Sequence, residues 1–277
     1  MMTTTTMADV SETSGQIGHN RLIDLLGSEW SKLTTVRSTV WTLLATAAVG
    51  IGLGAIVTSA QASRWSSRSL VARAAFDPTR SSLAGLLFAQ LAVGVLGILV
   101  ISAEYSTGTI RATFSAEPRR PLVLVAKVAV FGIVTLIVGE IVSFVAFFLG
   151  QRILSGKTPT ATLSDPGVLR AVVSGGLYLL ALGLLALGLA SIIRVTAAAI
   201  STFVGILFIL PIIADVLPSS FTSDIGRFLP ANIGTVMMSA HNHGTDPFGP
   251  WTSFALLCAY AAAFLVAGGI LLVRRDA

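Results

Sequence analysis

Residues that carry covalent, metal or redox chemistry are scarce in this chain. Its one cysteine, Cys258, lies inside an apolar run, which rules out an intrachain disulfide and a cysteine-based zinc site. Only three histidines occur, and no Ser–His–acid or Cys–His set falls together in a way that supports a hydrolytic enzyme. Charge is scarce too. Charged residues make up 11% of the chain, against roughly a quarter in ordinary soluble domains. A net charge of +5 comes without any basic stripe interleaved with aromatics, so nucleic acid is not an expected partner. The first residues, Met1 to Gln16, lack both the basic and the apolar region of a secretory signal.

What is present is apolar surface. Hydrophobic residues are 54% of the 277, and the mean hydropathy is +0.85. A chain of this length cannot hide so much apolar surface from water, so lipid is the expected solvent. About 20 apolar residues cross a hydrocarbon core. Charge-free windows of that length place spans at Thr39 to Ala60, Ser82 to Ala103, Leu122 to Gly150, between Arg170 and Arg194, Thr196 to Leu217 and Thr252 to Val273. Residues 1–20 are expected to form a flexible cytoplasmic tail, and residues 21–277 a single six-span domain. The expected fold is an all-α membrane protein.

Outside the spans, Arg21 to Arg37 reads as an amphipathic helix in the membrane interface. Leu22, Leu25, Leu26, Trp30 and Leu33 recur at helical spacing, with Asp24, Glu29 and Lys32 on other faces. Phe228 to Ala240 is apolar, starts near a proline and is too short to span, which fits a piece dipping back into the interface. The loop from Gln61 to Arg80 carries four arginines and is expected along the outer surface. Six spans put both termini on one side. Counting basic residues gives ten for the side of the termini against eight for the other, a weak vote for termini inside.

Several features suggest chemistry. Gly150 to Thr158, GQRILSGKT, ends as a phosphate-binding loop does. Gln151, however, stands where the first glycine belongs, no strand precedes it, and no helix pattern follows before Pro159. No nucleotide site is expected there. His241, His243 and Asp246 could hold a metal but read more simply as a polar loop, and His19 has no evident partner. Glu140 is the one ionisable residue well inside a span. At a cost of about 2.5–3.5 kcal/mol it should face protein or water, as a polar contact in a translocation path, a proton carrier or an interhelical hydrogen bond. Gly50, Gly52 and Gly54 give the first span a small-residue face that serves either a homodimer or packing within one subunit. Gly175, Gly176, Gly183 and Gly188 do the same in the fourth.

The most informative stretch is Glu104 to Lys127, EYSTGTIRATFSAEPRRPLVLVAK, which interrupts two apolar runs. Thr107 or Ser106 can cap a short helix there, with Ile110 and Phe114 on one side and Arg111 on another. With Glu104, Gly108, Thr109, Ile110, Arg111, Pro118, Arg119, Arg120 and Lys127, the segment resembles the signature region of type-2 ABC transporter permeases, the actinobacterial subfamily in particular. Gly27 to Leu44 looks like that family's elbow helix entering the first span, and Phe228 to Met238 like its outer re-entrant segment.

The resemblance implies a permease dimer, expected to pair two identical chains, in a bacterial cytoplasmic membrane with both termini cytoplasmic. It also implies separate nucleotide-binding subunits that hold ATP and Mg, so the chain would be no enzyme by itself and would bind no cofactor directly. The helix between the second and third spans, with Glu104, Thr107, Gly108, Thr109, Ile110, Arg111, Phe114, Arg119, Arg120 and Lys127, would be the ATPase-coupling element. A hydrophobic or amphipathic compound would be exported by alternating access. In that family the first and fifth spans line the dimer interface, which suits Gly50, Gly52 and Gly54. The rival readings are an ion-coupled secondary transporter using Glu140 and a non-transporting membrane anchor for an ATPase.

Overall fold

A computed structural model describes residues 23–116, 119–216, 226–240 and 248–274, and among these every regular element is helical. His19, Pro118, His241, His243, Asp246 and Arg275 lie outside the described residues, and so does the side chain of Phe114. The chain runs α1 (23–35), α2 (Arg37–Ser63), α3 (Leu70–Ala74), α4 (Pro78–Leu83), α5 (Leu86–Thr107), α6 (Thr109–Ala116) and α7 (Arg120–Leu154). It continues through α8 (Val168–Ile193), α9 (Thr196–Val204), a π-helical turn (Gly205–Ile209), α10 (Leu210–Val216), α11 (Pro230–Met237) and α12 (Pro250–Arg274).

Among the described residues, six helical stretches are long and apolar enough to cross a membrane: α2, α4–α5, α7, α8, Thr196–Ala214 and α12. They coincide with the charge-free windows and overrun them by a few residues at most ends, because a helix continues past the hydrocarbon edge as long as its backbone bonds stay satisfied. The chain is a multi-pass membrane protein by this measure.

The fourth span, α8, is the most buried and forms the centre, with α5, α7 and α12 packed around it. Its glycines explain how. A side chain at Gly183 would meet Val93 and Phe131, one at Gly175 would meet Ser143 and Leu86, and one at Gly188 would strike the α12 backbone at Phe264 and Leu265. Lipid tails are as apolar as leucine, so close van der Waals approach between helices is what holds such a bundle.

The first span is packed the same way. Gly50 and Gly54 lie against the break between α4 and α5, where a Cβ on Gly85 would come within 2.0 Å of the Gly50 carbonyl oxygen. The expected small-residue face of α2 is therefore largely used inside the chain. Gly52 points into open space.

In the fifth span Pro211 has no N–H, and its ring crowds the carbonyl four residues earlier. The ladder responds with one π turn, in which the Leu210 N–H reaches back to the Gly205 carbonyl.

Candidate functional site

The end of the bundle that carries α1 holds a buried ion network. Lys127, 3% exposed on α7, donates to Glu29 Oε2 and to Glu104 Oε1, both at 2.7 Å. Lys32 closes the ring by donating to Glu29 Oε1 at 2.7 Å and Glu104 Oε1 at 3.0 Å. Two carboxylates and two ammonium groups thus alternate, one pair on α1, one acid at the end of α5 and one base near the start of α7. Burial alone would lower the Lys32 pKa, but the hydrogen bonds and charges of Glu29 and Glu104 outweigh it and hold the value above that of an ordinary lysine.

Glu104 and Lys127 are thus brought together, in contact with two α1 residues that were placed off its apolar face. Glu29 is 2% exposed. Its signal was available: Leu25, Glu29 and Leu33 form one i, i+4 stripe, so the acid sits within the packed face of α1. Leu33 is buried beside it, while Trp30, expected on the apolar face, is 48% exposed.

The α5–α6 junction turns on Gly108, whose φ of 73° is left-handed and open to glycine with little strain. The expected cap is not made. Ser106 and Thr107 both donate backward to the Ala103 carbonyl, at 3.0 and 2.8 Å, because they sit in the last turn of α5 with its free carbonyls rather than ahead of α6. Thr109 lies within hydrogen-bond reach of Thr107, at 2.9 Å between hydroxyl oxygens.

Ile110 also differs from expectation. Only 5% exposed, it faces the bundle with Ile101, Tyr105, Val123 and Leu272 around a small void, and so fixes α6 to its own chain. Among the described side chains of α6, Thr109, Arg111 and Ser115 are exposed.

Two arginines secure the same end of the bundle. Arg120 donates to the Leu272 carbonyl at 3.0 Å and Arg194 to the Leu271 carbonyl at 3.2 Å. Both guanidiniums meet the last carbonyls of α12, where the helix dipole favours positive charge. Arg194 closes α8 in the left-handed region at φ 62° and stacks on the Tyr105 ring at 5.0 Å. That backbone conformation costs a non-glycine residue roughly 1–2 kcal/mol, which the two side-chain contacts offset. Arg119 is exposed at the start of α7.

The other singled-out residues lie elsewhere. Glu140 faces α8 in mid-span, where Gly176 leaves room for its carboxyl: a Cβ there would come within 2.5 Å of Cδ. Its Oε2 is buried and has no hydrogen-bond partner among the described residues. Gln151, in the phosphate-loop lookalike, is structural. Its amide donates to the Pro78 carbonyl and to Ser82, and its oxygen accepts from the Ala161 N–H.

A second polar knot, missed in the sequence, sits at the opposite end. Asp77 caps α4 through the N–H groups of Thr79 and Arg80, and its other oxygen accepts from Ser239 Oγ and the Ala240 N–H, each at 2.8 Å. Arg170 donates to the carbonyls of Met237 and Ser239, at 3.2 and 2.7 Å. Together they hold the end of α11 against α4 and α8. Against known proteins, the chain matches no family model and no curated protein is significantly similar to it.

Proposed function

We propose that the chain is the membrane-spanning subunit of an ATP-driven ABC exporter for a hydrophobic or amphipathic compound, with ATP hydrolysed by a separate subunit on the cytoplasmic side. The observation that carries the reading is the build of α6. It is a short helix at one end of the bundle, exposing Arg111, Thr109 and Ser115 and anchored from beneath by Ile110. On either side it joins a span whose base is fixed in the Glu29–Lys32–Glu104–Lys127 ring.

In this reading α6 is the coupling helix, α1 the interfacial elbow with Trp30 toward the headgroups, and α11 the outer re-entrant segment. A push on α6 passes into α5 and α7, because Ile110 and the ion ring leave little slack between them. Both termini then lie in the cytoplasm. Two copies meet through α2 and the fifth span, which leave broad apolar faces uncovered, with Trp41 70%, Ile56 64% and Ile212 64% exposed. Gly52 lies on the open side of α2. Lipid covers the similar face of α12.

The test is co-expression of the tagged chain with ATPase subunits from the same cell, followed by reconstitution. The chain alone should show no ATPase activity, and one ATPase should co-purify. Arg111→Glu should cut the permease-stimulated rate at least tenfold with an unchanged melting temperature, since the side chain is exposed. Full stimulation by that variant, or no ATPase recovered at all, would sink the assignment.

Glu140 supports a second reading, ion-coupled transport, because its buried Oε2 lacks a partner among the described residues. Glu140→Gln keeps the volume and removes the charge. The variant should transport normally if ATP is the driver, and transport measured in a proton gradient without ATP should collapse if Glu140 carries the ion.

A further inference from the structure

The four arginines between α2 and α5 have no part in that reading. They lie about 40 Å from the ion ring, one length of α2 away. We infer that two of them, Arg68 and Arg80, frame a binding site for an anionic amphiphile, one acidic head joined to a hydrocarbon body. The inference stands apart from the transport reading, because it concerns the opposite end of the bundle and needs no ATPase.

The loop is built rather than draped. Trp65 and Phe76 meet edge to face at 5.1 Å. Arg73 stacks on Trp65 at 5.6 Å and donates to the Ser66 carbonyl at 2.7 Å. Arg68 stacks on Phe76 at 5.3 Å. Ser69 caps α3, and Asp77 caps α4. The result is a cavity of about 590 Å³ between this loop and α11, within the size range of small-molecule sites.

Its walls divide by chemistry. Phe76, Leu83, Leu87 and Met238 supply apolar surface. Arg68, Arg80 and Gln61 supply donors, and Asp77 is the one acid among the described residues. Asp77 does not cancel the arginines, because both its oxygens already accept from Thr79, Arg80, Ser239 and Ala240. The Arg80 guanidinium has no hydrogen-bond or ionic partner among the described residues. Arg68 has a single long bond, 3.4 Å to Gln61 Oε1. Two guanidiniums with most of their donors free match the planar oxygens of a phosphate or carboxylate. A small anion alone would leave the apolar wall wet, and a neutral apolar molecule would strand the charges. An anion with a hydrocarbon body satisfies both. Two sources share that chemistry: a lipid headgroup of the leaflet at that end of the bundle and a free amphiphilic acid.

The full chain in a neutral maltoside detergent is titrated with dihexanoylphosphatidylglycerol, and bound molecules are counted by native mass spectrometry. One molecule per chain is expected. Dihexanoylphosphatidylcholine should bind at least tenfold more weakly. Arg80→Gln should weaken binding at least tenfold with an unchanged melting temperature, and Arg80→Lys by a smaller factor, since the charge stays but the fork is lost. Ala72→Phe, at an exposed position lining the cavity, should also block binding without altering charge. Tighter binding of the phosphatidylglycerol than of laurate identifies the source as a lipid headgroup, and the reverse identifies a free acid. Unsaturable uptake overturns the site, and so does equal affinity in Arg80→Gln. Displacement by inorganic phosphate at equal concentration overturns the amphiphile.

Discussion

Lys127→Met is expected to destabilise the protein by about 3–5 kcal/mol, the cost of removing one partner from a buried ion pair. The cost arises from what remains. Glu29 and Glu104, 3% and 12% exposed in their side chains, would face each other with only Lys32 between them. Lys32 is 44% exposed and already contacts both. One screened ammonium cannot neutralise two carboxylates withdrawn from water. Thermal melting in a fixed detergent reads the effect, and an unchanged midpoint would show that the ring does not hold α1 to the bundle.

A second variant separates structure from transmission. Glu29→Leu, Glu104→Leu and Lys127→Met together replace the three members withdrawn from water with apolar residues and leave only Lys32, which reaches solvent, and a buried ion set replaced in this way is often neutral or stabilising. The triple variant should therefore melt within about 1 kcal/mol of the wild type. If the ring also transmits force from α6, the triple variant should still lose ATPase stimulation. The raised Lys32 pKa adds a pH signature. Its stabilising share is complete below the unfolded lysine value, roughly 10.4, and is lost as pH rises through the higher folded value. Wild-type melting should fall there, and the Lys32→Gln variant should not show that step.

The spans were the most legible part of the sequence, because bilayer thickness sets their length and each is bounded by charge. The glycines of α8 were legible for a related reason, since small residues in an apolar helix have few uses besides close packing. Glu104 and Lys127 could be singled out by pattern, but their partners could not. Glu29 lies 98 residues from Lys127 and Lys32 lies 72 from Glu104, and no local rule joins them. The i, i+4 stripe of Leu25, Glu29 and Leu33 is the one local hint, and an acid in such a stripe is buried only when a distant base pairs with it. Ile110 shows the opposite case. An apolar residue in a polar loop invites a partner protein, yet its own chain supplied the partner. At the far end, Asp77 before Pro78 is a recognisable helix start. Its other carboxylate oxygen, which reaches across more than 160 residues to Ser239 and Ala240, has no sequence signal.

That second oxygen carries the other large prediction. Asp77→Ala is expected to cost about 3–4 kcal/mol, combining a lost helix cap with lost hydrogen bonds to a charged acceptor. The Ala240 N–H is buried and would lose its acceptor, and Ser239 would lose one of its bonds. Asp77→Asn keeps one carbonyl oxygen and should cost about half as much, since it can serve either α4 or α11 but not both equally. Hydrogen exchange should localise the damage. Amides of residues 230–240 should exchange far faster, because the bonds from Arg170 to the Met237 and Ser239 carbonyls would remain but the Asp77 contacts would be gone, while α8 stays protected. Uniform protection across 230–240 in Asp77→Ala would show that α11 is held by other means. Thr235 and Met238 also line the arginine cavity. Loosening α11 should therefore weaken binding of the anionic amphiphile even though Arg68 and Arg80 are untouched, whereas a site made by the arginines alone would keep its affinity.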